Sequence, residues 1–309
     1  MNRRIAIGTI AASLGVPFAP APAGAAGTIR AAAPALDSTA LMFYAQEMGF
    51  FKAAGLEVDL QPMANGEAVT VALTGGAIDV GCSEAVSLIV AYKRGLPITI
   101  IAPGGMQTPS SPVGMFFVQK GSAAQGGRDL DGKTIACVGL KGLAQSGTMA
   151  WLDKTGGDSR SVKFVQMSGA QIAVALQDGR IDGAFVPEPF VSAVKRVARP
   201  LANPMEAIAP TFLSSAHFAL LPWVKAHPEE TRRFQRALRQ TADWANKNHD
   251  RTALILEKIA RVDPAVVQAS TRSFYGDRLN PALLQPLIDV AARYLDFSSF
   301  PANEILYKA

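Results

Sequence analysis

The stretch Ala72-Leu73-Thr74-Gly75-Gly76-Ala77-Ile78-Asp79 returns about a hundred residues later as Ala175-Leu176-Gln177-Asp178-Gly179-Arg180-Ile181-Asp182. Each copy reads as a helix end, a glycine turn and a strand opening on Ile-Asp. Each strand then meets a polar break, Gly81-Cys82-Ser83-Glu84 in the first copy and Pro187-Glu188-Pro189 in the second. A helix-turn-strand unit repeated at this separation implies two similar α/β lobes. Two lobes leave a crevice, and a crevice is where a small ligand is buried.

The chain opens with a different kind of segment. Arg3 and Arg4 are followed by an apolar run, Ile5 to Phe18, and then by Ala23-Gly24-Ala25, which fits a small-residue cleavage pattern. The run is too short to cross a bilayer comfortably. The expectation is a signal peptide over residues 1–25, export to the periplasm and a mature chain from near Ala26; a buried N-terminal helix is the competing reading. The remainder is long enough for two cores. The formal charge of +5 falls to about +3 once Arg3 and Arg4 are removed, a mild value that excludes little. No basic cluster is interleaved with aromatics, so no nucleic-acid partner is expected. Arg232, Arg233, Arg236 and Arg239 beside Glu229 and Glu230 read as a solvated helix face. Cys82 and Cys137 are the only cysteines. They read as small buried thiols, because a bridge between the halves would oppose their relative motion. With so few cysteines and histidines, far apart, no metal site or cofactor is expected.

Strand and helix alternate along the chain. Strands are predicted at Thr28–Ala33, Leu56–Leu60, Ile78–Gly81, Ile98–Ala102, Val113–Val118, Thr134–Val138, Val162–Gln166, Ile181–Val186 and Ser215–Leu220. Helices are predicted at 39–51, from Asn65-Gly66 to Leu73, from Ser83 or Glu84 to Arg94, and at 148–154 and 170–177. A helical C-terminal part follows, at 228–246, 251–261, 265–274 and 281–296, with Pro228, Pro264 and Pro281 at first turns. Short connections imply parallel strands in right-handed crossovers. Gly104–Pro112 reads as a loop or hinge approach, and Gly139–Gly147 as a Gly/Ser-rich loop.

With these elements in place, Gly49-Phe50-Phe51-Lys52-Ala53-Ala54-Gly55-Leu56-Glu57-Val58 resembles a signature of ABC-transporter substrate-binding proteins of the nitrate/sulfonate/taurine class, which includes the binders of thiamine-pyrimidine precursors. Leu73–Asp79, Asp129-Leu130-Asp131-Gly132-Lys133 and Gly179–Pro189 match the same family in order and spacing. The resemblance implies the type II periplasmic-binding-protein fold. In it, two lobes with mostly parallel sheets flanked by helices are joined by two crossing strands and close on ligand as a clamshell. Lobe 1 is expected over 26–112 and 216–309 with the C-terminal helices, and lobe 2 over 113–215.

In open α/β sheets ligands sit beyond the carboxyl ends of strands. That rule selects Asp37, Ser38 and Thr39 after the first strand, then Asn65 and Gly66, then Ser83 and Glu84. In the second lobe it selects Gly142, Ser146 and Thr148, then Glu188 and Phe190; His217 on the returning strand completes the set. Most have a structural alternative: Asp37, Ser38, Thr39, Ser83 and Glu84 as helix caps, Asn65-Gly66 as a plain turn, Gly142–Thr148 as a surface loop, Glu188 as a solvated turn carboxylate. Phe43, Tyr44, Phe185, Phe190 and Phe218 could stack on a ligand ring, although aromatics at these spacings more often belong to the core. Asp37, Glu84 and Glu188 around one crevice would repel an inorganic anion, and Lys141 is the one cation at a strand end. A neutral, amine-bearing or heteroaromatic molecule is therefore favoured.

The expected protein is a monomeric periplasmic solute-binding protein, not an enzyme, whose partners are its solute and an ABC permease. Two alternatives remain. Gly81-Cys82-Ser83-Glu84-Ala85 resembles a nucleophile elbow lacking its last glycine, which points to a secreted serine hydrolase with Ser83 as nucleophile. A ligand-binding partner of a membrane sensor would share the fold. A pyrimidine-forming enzyme related to the family is expected to carry its own His and metal-binding Cys pattern, which this chain lacks.

Overall fold

The computed structural model describes residues 27–308; the segment read as an export signal lies outside the described residues. β1 (Ile29–Pro34) leads through a 3-10 turn at Asp37–Thr39 into α1 (Leu41–Glu47) and α2 (Phe50–Ala53). There follow β2 (Val58–Met63), α3 (Gly66–Thr74), β3 (Val80–Glu84), α4 (Ala85–Lys93), β4 (Ile98–Pro103) and β5 (Gly105–Gln107). The second unit runs β6 (Gly114–Gln119), β7 (Thr134–Cys137), α5 (Leu143–Lys154), β8 (Lys163–Gln166), α6 (Gly169–Gln177), β9 (Gly183–Pro187), α7 (Val191–Lys195) and β10 (Ala198–Ala202). The chain returns through β11 (Phe212–Leu213) and β12 (Ser215–Leu220) to α8 (Leu221–Ala226), α9 (Pro228–Ala245), α10 (His249–Ala260), α11 (Pro264–Gln268), β13 (Phe274–Tyr275) and α12 (Pro281–Tyr294).

The two main sheets share one strand order. The first is β2-β1-β3-β12-β4, and the second, read from its far edge, is β8-β7-β9-β6-β10. In each, three parallel strands are followed by a strand that enters directly after a crossing between lobes and lies antiparallel to both neighbours. The sheets are mostly parallel, as expected, with β12 and β6 the one antiparallel strand of each. A small sheet, β11-β5-β13, stands at the crossing, and its central strand β5 falls within the span 104–112 read from sequence as loop.

The repeated Ile-Asp now has a cause. Asp79 sits at the start of β3, and its Oδ2 accepts the Arg30 N–H of β1 at 2.9 Å. Asp182 sits at the start of β9, and its Oδ2 accepts the Thr134 N–H of β7 at 2.9 Å. In each lobe one aspartate closes the first rung of the central ladder. The repeat is thus a strand-pairing device rather than a ligand signal.

Local chemistry explains the other departures. The helix expected over 39–51 is divided because Gly49 turns left-handed, at φ 75°, where glycine has no Cβ penalty. The helix expected to begin at Thr148 begins at Leu143, and the one expected over 265–274 ends at Gln268 before β13. Leu284, Leu287 and Ile288 of α12 are fully enclosed, each contributing roughly 1.5–3 kcal/mol by burial. That helix packs on α4 of the first lobe and α5 of the second. Cys82 and Cys137 are free and buried; burial pushes the Cys137 thiol up to about 12 and raises that of Cys82 as well. Among the described residues no helix is long and apolar enough to cross a membrane.

Candidate functional site

The carboxyl ends of β1, β2 and β3 face those of β7 and β8 across a cavity of about 600 Å³, within the usual range for a small-molecule site. Ser38, Thr39, Asn65, Gly66 and Glu84 line it from the first lobe, and Gly142 and Phe190 from the second. Asn65 caps α3, its side chain accepting the Ala68 N–H at 2.9 Å. Thr39 donates its hydroxyl to the Pro34 carbonyl at 2.7 Å, so its polar atom is engaged within the turn. Glu84 caps α4 and accepts the N–H groups of Val86 at 2.9 Å and Ser87 at 3.0 Å, together with the Ser87 hydroxyl. Across the gap it also accepts the Leu143 N–H of α5 at 3.2 Å. Burial raises the Glu84 carboxyl above its ordinary range, and these donors oppose the rise.

Six expected site residues lie outside this lining. Asp37 is enclosed and paired with Arg272 at 2.7 Å; it caps nothing, and its carboxylate also accepts from the Ser273 N–H and the Tyr44 hydroxyl. Ser83 lies beneath α3, where a Cβ on Gly66 would collide with its hydroxyl. Ser146 and Thr148 are buried within α5 instead of forming a loop, and the Thr148 hydroxyl donates to the Ala144 carbonyl at 2.7 Å. Glu188 accepts the Thr271 N–H at 3.1 Å, and burial pushes its carboxyl up to about 7. His217 is buried with Nδ1 2.9 Å from the Pro103 carbonyl, and burial pushes its pKa down to about 4.

The hydrolase reading fails on sheet geometry. His217 is in register with Cys82, and Ser83 with Ala216. Successive side chains on a strand point to opposite faces, so Ser83 and His217 stand on opposite sides of the sheet. The His217 ring packs near Phe234 of α9, whereas Ser83 faces α3. Phe43, Tyr44, Phe185 and Phe218 are core residues.

Glu67 closes the strand end 63–67 expected at the cleft and lines it, whereas sequence reasoning missed Ser87, Met167, Ser168 and Gln171, which line it too. The repeat itself marks one of them. At the offset that superposes Ala72 on Ala175, Asn65-Gly66 falls on Ser168-Gly169, and Ser168 caps α6 as Asn65 caps α3, with Gln171 completing a capping box. Among the described residues no Lys or Arg lines the cavity; Lys141 is exposed, and its backbone N–H is held by Gln145 Oε1 at 2.7 Å.

Two lobes of one strand order, with a cavity between their strand ends, make up the two-lobed periplasmic-binding-protein fold. The chain belongs to the NMT1/THI5-like family, whose model matches residues 37–252. The alkanesulfonate-binding protein SsuA of Xanthomonas axonopodis pv. citri bound to MOPS shares the fold at TM-score 0.76 and 20% identity, over 93% of this chain and 100% of that one. The ligand-binding component of an ABC-type import system from Staphylococcus aureus shares it at TM-score 0.78 and 15% identity, over 91% and 96%. A curated relative from Uromyces fabae, named 4-amino-5-hydroxymethyl-2-methylpyrimidine phosphate synthase, is 26% identical over 216 residues, 65% of this chain. The match spans 61% of that relative's length. The relative is named as an enzyme, and this corrects the expectation that the chain is no enzyme. The absence of a familiar His and Cys pattern was too narrow a ground for that expectation.

Proposed function

We propose that this chain is an exported solute-binding protein whose interlobe cleft captures a small neutral or amine-bearing heteroaromatic molecule and presents it to an ABC permease. The observation that carries this reading is the cleft itself. Two carboxylates, Glu84 capping α4 and Glu67 in the first turn of α3, meet Met63, Met167 and Phe190 there, with no cation among the described lining residues. Such walls suit a flat ring bearing amino groups, with Phe190 as stacking partner and a glutamate as acceptor. The relatives are named for synthesis of an aminopyrimidine phosphate, of which only the amino-bearing ring is the chemistry proposed here, and the fold neighbours include components of import systems. The lobes are proposed to divide at Gly104–Pro112 and near Ser215, and contact with both lobes only in the closed form would drive closure.

Calorimetry of the purified protein against aminopyrimidines, neutral amides and inorganic anions tests this. Saturable heat is expected with the aminopyrimidines and none with nitrate; no heat with any of them would remove the reading. The relatives' name favours a second reading, a pyrimidine-forming synthase on the same cleft. Mass spectrometry of molecules released from freshly purified protein, before and after incubation, separates the two: a carrier returns its ligand unchanged, whereas a synthase returns a chemically altered one.

Gly142→Ala probes closure directly. A methyl group there would strike Glu84 Oε1 across the gap, with Ser87 Oγ also in contact at 3.5 Å. Overpacking of this kind costs about 1–3 kcal/mol, so a solute Kd should rise roughly 5- to 150-fold. The thermal midpoint of the unliganded protein should change little, since the methyl lies between the lobes; an unchanged Kd would show that the lobes need not approach here.

A further inference from the structure

Glu84 belongs to the first lobe, yet its carboxylate is shared with the second. Its Oε2 accepts N–H groups from two helix first turns, Val86 of α4 at 2.9 Å and Leu143 of α5 at 3.2 Å, while Oε1 takes the Ser87 N–H at 3.0 Å and the Ser87 hydroxyl. Helix first turns carry free N–H groups and the positive end of the dipole, which is the chemistry an anion seeks. Gly142, the cap of α5, is what admits the carboxylate: any Cβ at this position would occupy its place. Among the described residues the rest of the lining adds Glu67 and no Lys or Arg.

We propose that Glu84 is the specificity-determining residue that bars anionic solutes from this cleft, because its own carboxylate occupies the donors of both helix starts that a sulfonate or phosphate oxygen would need. This rests on the reading of the cleft as a solute site and deepens it. The chain carries a built-in anion where an anionic ligand would otherwise bind. A second negative charge placed beside it meets repulsion in a partly desolvated gap. Neutral and cationic molecules meet no such barrier, and a ligand amine gains a carboxylate partner.

The test uses the full chain with two probes of nearly the same shape, methanesulfonate and its neutral isostere dimethyl sulfone. Binding of each is measured by calorimetry on the wild type, Glu84→Ala and Glu84→Gln. The expected result is no methanesulfonate binding by the wild type and a gain of at least ~100-fold in Glu84→Ala, with no comparable gain for the sulfone. Glu84→Gln, which keeps the volume and loses the charge, should gain less, because its amide still fills the place. A wild type that binds methanesulfonate as tightly as Glu84→Ala would overturn the proposal. So would folded variants with no gain, or an equal gain for the sulfone, which would show enlarged space alone. If Glu84→Ala does not fold, the Glu84→Gln comparison decides. Failure of the solute reading itself appears separately, as a wild type that binds no member of the aminopyrimidine panel.

Discussion

Asp37→Ala is expected to lower stability by about 3–5 kcal/mol, the cost of leaving a buried charge without its partner. For a chain of this size that is a fall of roughly 6–20 °C in Tm, read by circular dichroism. The Asp37 side chain is fully enclosed, and that of Arg272 is 9% exposed. Removing the carboxylate strands a guanidinium whose Nε and Nη1 already lack partners among the described residues. It also takes the acceptor from the Ser273 N–H and from the Tyr44 hydroxyl. Tyr44 and Tyr275 pack edge to face over the pair at 6.0 Å, and the Tyr275 hydroxyl donates to the Asp37 carbonyl. The whole group ties the exit of β1 to the segment between α11 and β13. Asp37→Asn keeps an acceptor oxygen but no charge, so its loss should fall between wild type and Asp37→Ala. A loss below about 1 kcal/mol in Asp37→Ala, the scale of an exposed pair, would mean that the pair is solvated and that Asp37 is free to serve the cleft.

The fate of Asp37 shows what a sequence of this kind discloses. Local patterns carried most of the elements: the alternation around Val58, the Asn65-Gly66 turn, the capping glutamate at residue 84 and the prolines at residues 228, 264 and 281 all mark boundaries close to those observed. These signals lie within a few residues of the structure they specify. The misplacements came where the deciding partner is distant in the chain. Asp37 looks like a cap until Arg272 arrives 235 positions later. Ser83 and Glu84 look alike as strand-end polar residues, but β3 continues through Ser83, so the two side chains face opposite ways. Ser146 and Thr148 sit in a Gly/Ser-rich run that reads as loop. Packing of Leu143, Trp151 and Leu152 against the core draws that run into a helix, a tertiary gain that outweighs weak local propensity. The cleft was legible as a rule about strand ends, and which of two adjacent residues enters it was not.

Glu188 provides the second large effect, and its sign runs opposite to that of an ordinary surface carboxylate. Burial is the main cause that pushes its carboxyl from 4.5 up to about 7; Asp37 adds to the rise, while the Thr271 N–H and Lys195 oppose it. Its Oε2 is enclosed without a partner among the described residues. The folded state therefore holds a proton that the unfolded state releases above about pH 4.5. The stabilisation is fully present below the unfolded value and is lost as pH rises through about 7. A shift of this size corresponds to about 3 kcal/mol, or roughly 6–12 °C in Tm. His217 works in the other direction over part of the same range: its pKa of about 4 in the fold, against 6.5 ordinarily, makes acidification below pH 6.5 destabilising. The wild-type curve alone mixes the two, so the comparison that isolates Glu188 is the difference between wild type and Glu188→Gln at each pH. The amide keeps an oxygen for the Thr271 N–H and cannot ionise. Glu188→Gln should therefore melt at a temperature near that of wild type at pH 5 and well above it at pH 8.5. Because Thr271 lies on the C-terminal segment and Glu188 follows β9 of the second lobe, the same difference should appear in the pH dependence of closure, measured by small-angle scattering. Parallel Tm curves for the two proteins from pH 5 to 8.5 would place the Glu188 carboxylate in water and remove both expectations.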